Sequence, residues 1–140
     1  MIILFSCHSI LSLIIPSISA MRKCQSIIAL HIASDLFIRD IRAMRKLNNS
    51  WKVMNSQKII WKIDDKHDIG WCFYDNCLVR IEGIYDQKWK NKITSIVATE
   101  LLKSSFNFTR DNNNKAIGIE LIMTPMADPK KPIICYAYLT

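Results

Sequence analysis

Apolar and polar positions alternate in two rhythms along this chain. Between residues 22 and 47 the apolar residues Ile27, Leu30, Phe37, Ile41 and Met44 recur at three- and four-residue spacings, which predicts a helix with one buried face. Arg39, Arg42 and Arg45 step along another face at intervals of three, and Asn48-Asn49-Ser50 ends the pattern. The rhythm then changes to two. Gln57 to Ile63 alternates with Ile59, Trp61 and Ile63 on one side, and Asp64-Asp65-Lys66-His67-Asp68 reads as a polar turn. Trp71–Tyr74 and Leu78–Tyr85 read as a hairpin about Asp75-Asn76, a pair suited to tight turns, with Gly83 marking a bulge.

Asp86 is placed to cap a second helix over residues 87–104, with Trp89, Ile93, Ile96, Val97 and Leu101 as its apolar stripe. Residues 110–115 form a loop with three consecutive asparagines. Ile117, Ile119, Leu121 and Met123 alternate as a strand, and residues 125–132 form a second loop. A last strand over 133–139 presents Cys135, Ala137 and Leu139 to one side and Tyr136 and Tyr138 to the other. The expected order is α-β-β-α-β-β. This predicts an α+β domain, a mainly antiparallel sheet of about four strands with two helices packed on one face. Trp51, Trp61 and Trp71 stand ten apart, but their neighbours differ, so the spacing is that of strands and not of a repeat.

Ahead of the domain, residues 1–20 carry no charged side chain when His8 is counted neutral, and Arg22-Lys23 follow at once. A signal peptide cut after Ala20 fits the apolar middle and the small residue at its end, but a basic start is missing. The basic pair after the stretch fits an uncleaved anchor that holds the domain in the cytosol. Translation from Met21 is the third reading. The division is therefore an apolar leader, 1–20, and one domain, 21–140.

The formal charge of +7 and a pI near 9.3 favour acidic partners. An acidic protein or glycan surface leads, nucleic acid is the alternative, and a membrane enters only through residues 1–20. Binding is expected through Arg39, Arg42, Arg45, Lys88, Lys90 and Lys92, with exposed tyrosines beside them. Lys88-Trp89-Lys90-Asn91-Lys92 interleaves an aromatic with cations, as a nucleic-acid surface would. The same run is also the wet side of an amphipathic helix. Glycine occurs only at Gly70, Gly83 and Gly118, too few and too scattered for a phosphate-cradling loop.

Of five cysteines, Cys7 lies in the leader, so cleavage leaves Cys24, Cys72, Cys77 and Cys135, an even number open to two disulfides. A two-residue loop at Asp75-Asn76 would set Cys72 and Cys77 diagonally on one face, about 7–8 Å apart and long for a bridge; a four-residue loop would set them opposite. In the first case they pair instead with Cys24 and Cys135. In a reducing compartment all four are buried thiols. Asn48 and Asn107 begin Asn-x-Ser/Thr triplets near expected loops and are the glycosylation candidates.

The 64–68 cluster with Cys72 and Cys77 lacks the close cysteine pairs of structural zinc sites, so a solvated turn is expected and no metal or cofactor. Cys72 with His67 is the one nucleophile–base pair close in sequence, His31 lies near the apolar side of the first helix, and no Gly-x-Ser-x-Gly or His-Glu-x-x-His motif occurs. Asp65 to Trp71 followed by Asp75-Asn76 resembles the first strands of a polo-box, a phosphopeptide-binding module. The resemblance covers about a dozen residues. It departs where a helix is expected directly after the hairpin, no kinase region accompanies it, and no family residues carry over. The expectation is a small secreted, basic, disulfide-stabilised binding module without enzymatic activity. The alternatives are an intracellular interaction module, tethered by residues 1–20 or starting at Met21, and a nucleic-acid-binding domain.

Overall fold

The computed structural model describes residues 2–45 and 51–139, with side chains described for 16–44 and 51–139. Arg45's side chain, Asn48 and the side chain of Cys7 therefore lie outside the described residues. One helix, α1, runs Ile2–Arg45 and carries Pro16 and Ala20 within it. Its second half is the predicted amphipathic helix. Leu30, Ala33, Phe37, Ile41 and Met44 are buried, and their spacing of three and four keeps them on one face. Ile27, assigned to that face from its spacing, is exposed instead. Every residue from 16 to 29 is exposed except Ser26, so within residues 16–44 the buried face of α1 begins at Leu30. Among the described residues no helix is long and apolar enough to cross a membrane.

Eight strands follow: β1 (Trp51–Met54), β2 (Lys58–Asp64), β3 (His67–Tyr74), β4 (Cys77–Asp86), β5 (Lys88–Ala98), β6 (Leu101–Arg110), β7 (Ala116–Pro125) and β8 (Ile133–Tyr138). They form two antiparallel sheets, β1-β2-β3-β4-β5 and β6-β7-β8, in which every strand pairs with its neighbour in the chain. The expected α-β-β-α-β-β order is thus overturned: among the described residues there is one helix, and the sheets hold twice the strands foreseen. The region 87–104 is the origin of the error. Its apolar residues fall at helical spacing, yet Ile93, Thr94, Ile96, Val97 and Thr99 are β-branched and resist the helix. Asp86 caps nothing; it pairs with Lys88 across a reversal at Gln87, whose φ is 60°. A second reversal ends at Glu100, with φ 54°. Strands, not a helix, continue past the hairpin.

The hairpin itself follows its turn residues. Asp75 and Asn76 take φ of 50° and 57°, the two left-handed positions of a tight hairpin turn, and Tyr74 pairs with Cys77. The β4–β5 ladder slips between Glu82 and Ile84, at Gly83, as its glycine predicts. A Cβ on Gly83 would lie 2.9 Å from the Lys90 carbonyl oxygen.

The core lies between α1 and the two sheets. Ile59, Trp61, Ile69, Trp71 and Leu78 face it from the larger sheet, and Phe106, Ile119, Leu121, Met123, Cys135 and Ala137 from the smaller. Phe37 joins them: its ring meets Trp71 edge-on at 5.4 Å and Phe106 at 6.0 Å. Backbone bonds from Leu101 to Asn76 and from Phe106 to Ser56 fasten β6 to the turn ends of the larger sheet.

Candidate functional site

Charged groups inside the fold are held by the fold. Trp71 and Arg80 are register partners on β3 and β4, so both side chains rise toward α1, where Asp40 accepts from each. Arg80 also pairs with Glu82. Burial works against the charged guanidinium, but the hydrogen bonds it donates to Asp40 and Glu82, with their negative charge, outweigh it and hold its pKa above the ordinary value. Asp68, buried on β3, accepts from Lys52 Nζ and from the Tyr85 amide, both at 2.7 Å, and so ties β1 to β4. These carboxylates are structural.

The candidate groups weighed from the sequence are not brought together. His67 and Cys72 lie five residues apart on one strand, roughly 17 Å along it and on opposite faces. Asp64 accepts from the Lys66 amide, Asp65 pairs with Lys62, and Asp68 is occupied as described. Among the described residues no group of three or more His, Cys, Asp or Glu could hold a metal ion. Cys24, Cys72, Cys77 and Cys135 are free thiols. The two-residue turn sets Cys72 opposite Val79, diagonal to Cys77. Cys135 is buried with its sulfur 3.7 Å from the Ser34 carbonyl, and Cys24 lies ten residues earlier on the helix, about 15 Å along its axis. Burial pushes both the Cys72 and the Cys135 thiol pKa up.

The predicted binding residues separate into two places. Lys88, Lys90 and Lys92 lie on β5, the outer strand of the larger sheet, all exposed. Trp89 is no helix-core residue: its indole lies across Gly70, and its ring meets Tyr85 at 5.2 Å. Alternation puts Lys88 and Lys90 opposite Trp89. Left-handed Asn91 (φ 51°) breaks that phase, and the Lys92 charge acts on Cys72, the outer-face residue, together with Lys58. The three lysines therefore do not share a face, and Trp89 is committed to packing. The other glycosylation candidate, Asn107, is exposed on strand β6 and not in a loop; its amide donates to Glu120.

Arg39 and Arg42 stand elsewhere, exposed on α1 where it passes β8. A cleft of about 360 Å³ is lined by Asp35, Ile38, Arg39 and Arg42. A second, of about 120 Å³, is lined by Ile38, Arg42, Tyr136, Ala137 and Tyr138. Ile38 and Arg42 belong to both, so the two clefts adjoin: the first lies on α1, and the second forms the groove between α1 and β8. Neither arginine has an ion-pair partner among the described residues. Tyr136 and Tyr138 meet edge-on at 4.9 Å, on the face opposite buried Cys135 and Ala137, as their alternation predicts. The Tyr136 phenol is laid over Gly118, where a Cβ would come within 1.8 Å of its oxygen. Sequence spacing located the arginines and the tyrosines separately; Ile38 and Asp35 carried no signal, because only the docking of α1 beside β8 makes them walls. No family model matches this chain, and no curated protein matches it.

Proposed function

We propose that this chain is a binding module, not an enzyme, and that its recognition surface is the groove between α1 and β8, which takes an acidic segment of a partner protein. One observation carries the reading: unpaired Arg42 shares a cleft with β8 at Tyr136–Tyr138, and unpaired Arg39 stands in the adjoining cleft, on a chain of net charge +7. Arginine is among the side chains enriched at the hot spots of protein interfaces. Unpaired guanidinium groups attract carboxylates without first breaking an internal pair. The basic β5 strand is a weaker candidate, since its lysines are divided between faces.

The reading holds for a secreted chain cut after Ala20 and for a cytosolic one. Residues 16–20 are exposed, so cleavage after Ala20 leaves the docked half of α1 in place. A glutamate-rich peptide tests the groove by titration at increasing salt. Binding should weaken with salt and fall about tenfold or more in Arg39→Glu/Arg42→Glu, while the Lys pair at the same positions retains part of it. Tighter binding to duplex DNA or heparin than to the peptide, unaffected by the two reversals, would overturn the proposal.

A further inference from the structure

The four outer strands of the two sheets are not alike. A strand edge exposes backbone donors and acceptors that invite another chain, and native edges are usually blunted by lysine, bulges or shortness. β1 has four residues, and its Lys52 is turned in to Asp68. β5 carries Lys88, Lys90 and Lys92, the left-handed Asn91 and two register shifts. β6 carries Lys103 and Arg110, slips at both ends, and already gives its Phe106 amide to Ser56. β8 has none of these. It reads Ile-Ile-Cys-Tyr-Ala-Tyr, holds no charge, and its ladder with β7 is unbroken from Ile133 to Tyr138.

Its free backbone groups can be assigned. The Leu139 amide donates to Ile117, so residue 139 points its backbone toward β7. Alternate residues of an antiparallel strand share that direction, which gives Ala137 and Cys135 to β7 and leaves Ile134, Tyr136 and Tyr138 facing the open side. That side is the groove: Tyr136 and Tyr138 line it with Ile38 and Arg42.

We infer that an extended acidic segment adds to β8 as a further strand, pairing its backbone with Ile134, Tyr136 and Tyr138 and setting carboxylates against Arg39 and Arg42. The inference rests on the groove reading above and specifies its mode. Backbone pairing supplies affinity, and the arginines select for acid. Asp35, at the same cleft as Arg39, repels a carboxylate placed beyond the arginines and so limits the register. A second copy of β8 is a poorer occupant, since its six residues bring no carboxylate to the arginines.

The test uses the full chain and a short peptide of alternating glutamate and valine. Two further versions are N-methylated at every second residue, in opposite phases. Single-residue amide exchange should show Tyr136 and Tyr138 gaining protection on peptide binding, with Ala137 unchanged because it is already paired. One methylated version should lose about tenfold or more in affinity for each hydrogen bond removed, and the other should bind like the parent. If the peptide binds in an Arg42-dependent way while the edge amides stay unprotected, or if both methylated versions match the parent, strand addition is wrong and the groove reading survives. Binding indifferent to Arg42→Glu removes both. Edge amides protected without peptide, in proportion to chain concentration, would make a second copy the occupant and overturn the inference.

Discussion

Arg80 on β4 and Asp40 on α1 meet two atoms to two: Nε lies 2.5 Å from Oδ2 and Nη2 lies 3.0 Å from Oδ1. Trp71 Nε1 shares the same carboxylate at 2.9 Å. Because Trp71 and Arg80 are cross-strand partners, this one carboxylate sets the helix against both β3 and β4 of the larger sheet. It also sets the rotation of α1, and with it the outward direction of Arg39 and Arg42.

Breaking that pair from one side should be costly. The Asp40 and Arg80 side chains are only 5 % and 12 % exposed, so Asp40→Asn or Arg80→Met leaves a buried charge with little water to replace its partner. We expect a loss of about 3–5 kcal/mol in urea unfolding for either change. The pair Asp40→Leu/Arg80→Met should recover most of it, short of about 1–3 kcal/mol for the stranded Trp71 indole N–H. Additive losses would show that the two groups do not act together.

Gly70 exists to receive an indole. A Cβ there would stand 2.6 Å from Trp89 Cζ2 and 3.2 Å from Ile60. Gly70→Ala should expel Trp89 and destabilise by about 1–3 kcal/mol, with tryptophan emission shifted to the red. In a Trp89→Ala background the same change should cost much less. Equal cost in both backgrounds would place the strain in the backbone.

Thiol chemistry should follow burial. Cys24 is exposed and should alkylate first; Cys135, buried against α1, should alkylate last. For Cys72 burial is the main cause of the raised pKa, and Lys58 and Lys92 offset part of it. For Cys135 burial again leads, the Ser34 side chain offsets part of it and the Asp35 charge adds to it. Each folded-state pKa lies above the ordinary 9.0, so their contribution is complete below about that pH and is lost as pH rises through the folded values. Thermal melts followed from neutral into alkaline pH should fall less steeply in Cys135→Ala than in the parent chain. Identical slopes would contradict the assignment.

Only the second half of α1 should matter to stability. Removing residues 2–20 takes away no buried side chain among those described and should change unfolding by about 0.5 kcal/mol or less. Phe37→Ala, which empties the joint between the sheets, should cost about 3–5 kcal/mol. A large loss from the truncation would mean that the apolar start packs against the domain.

Local spacing was enough to locate the docked half of α1 and the two faces of β8, because each has one wet and one dry side and the burial shows as a period; the hairpin was legible instead from its turn residues Asp75-Asn76. Spacing failed at β5, where Lys88 to Ser95 is exposed except at Trp89, so no dry face imposes a period of two and chance spacing imitated a helix. It also missed short β1 and β6, whose first residues fell in the expected helix. The groove lay beyond it altogether. Ser34 and Cys135, which bring its two walls together, are 101 residues apart, and nothing in either neighbourhood names the other. Spacing reports which side of an element is buried; which element buries it is decided by packing, through the Asp40–Arg80 pair and the Phe37 joint.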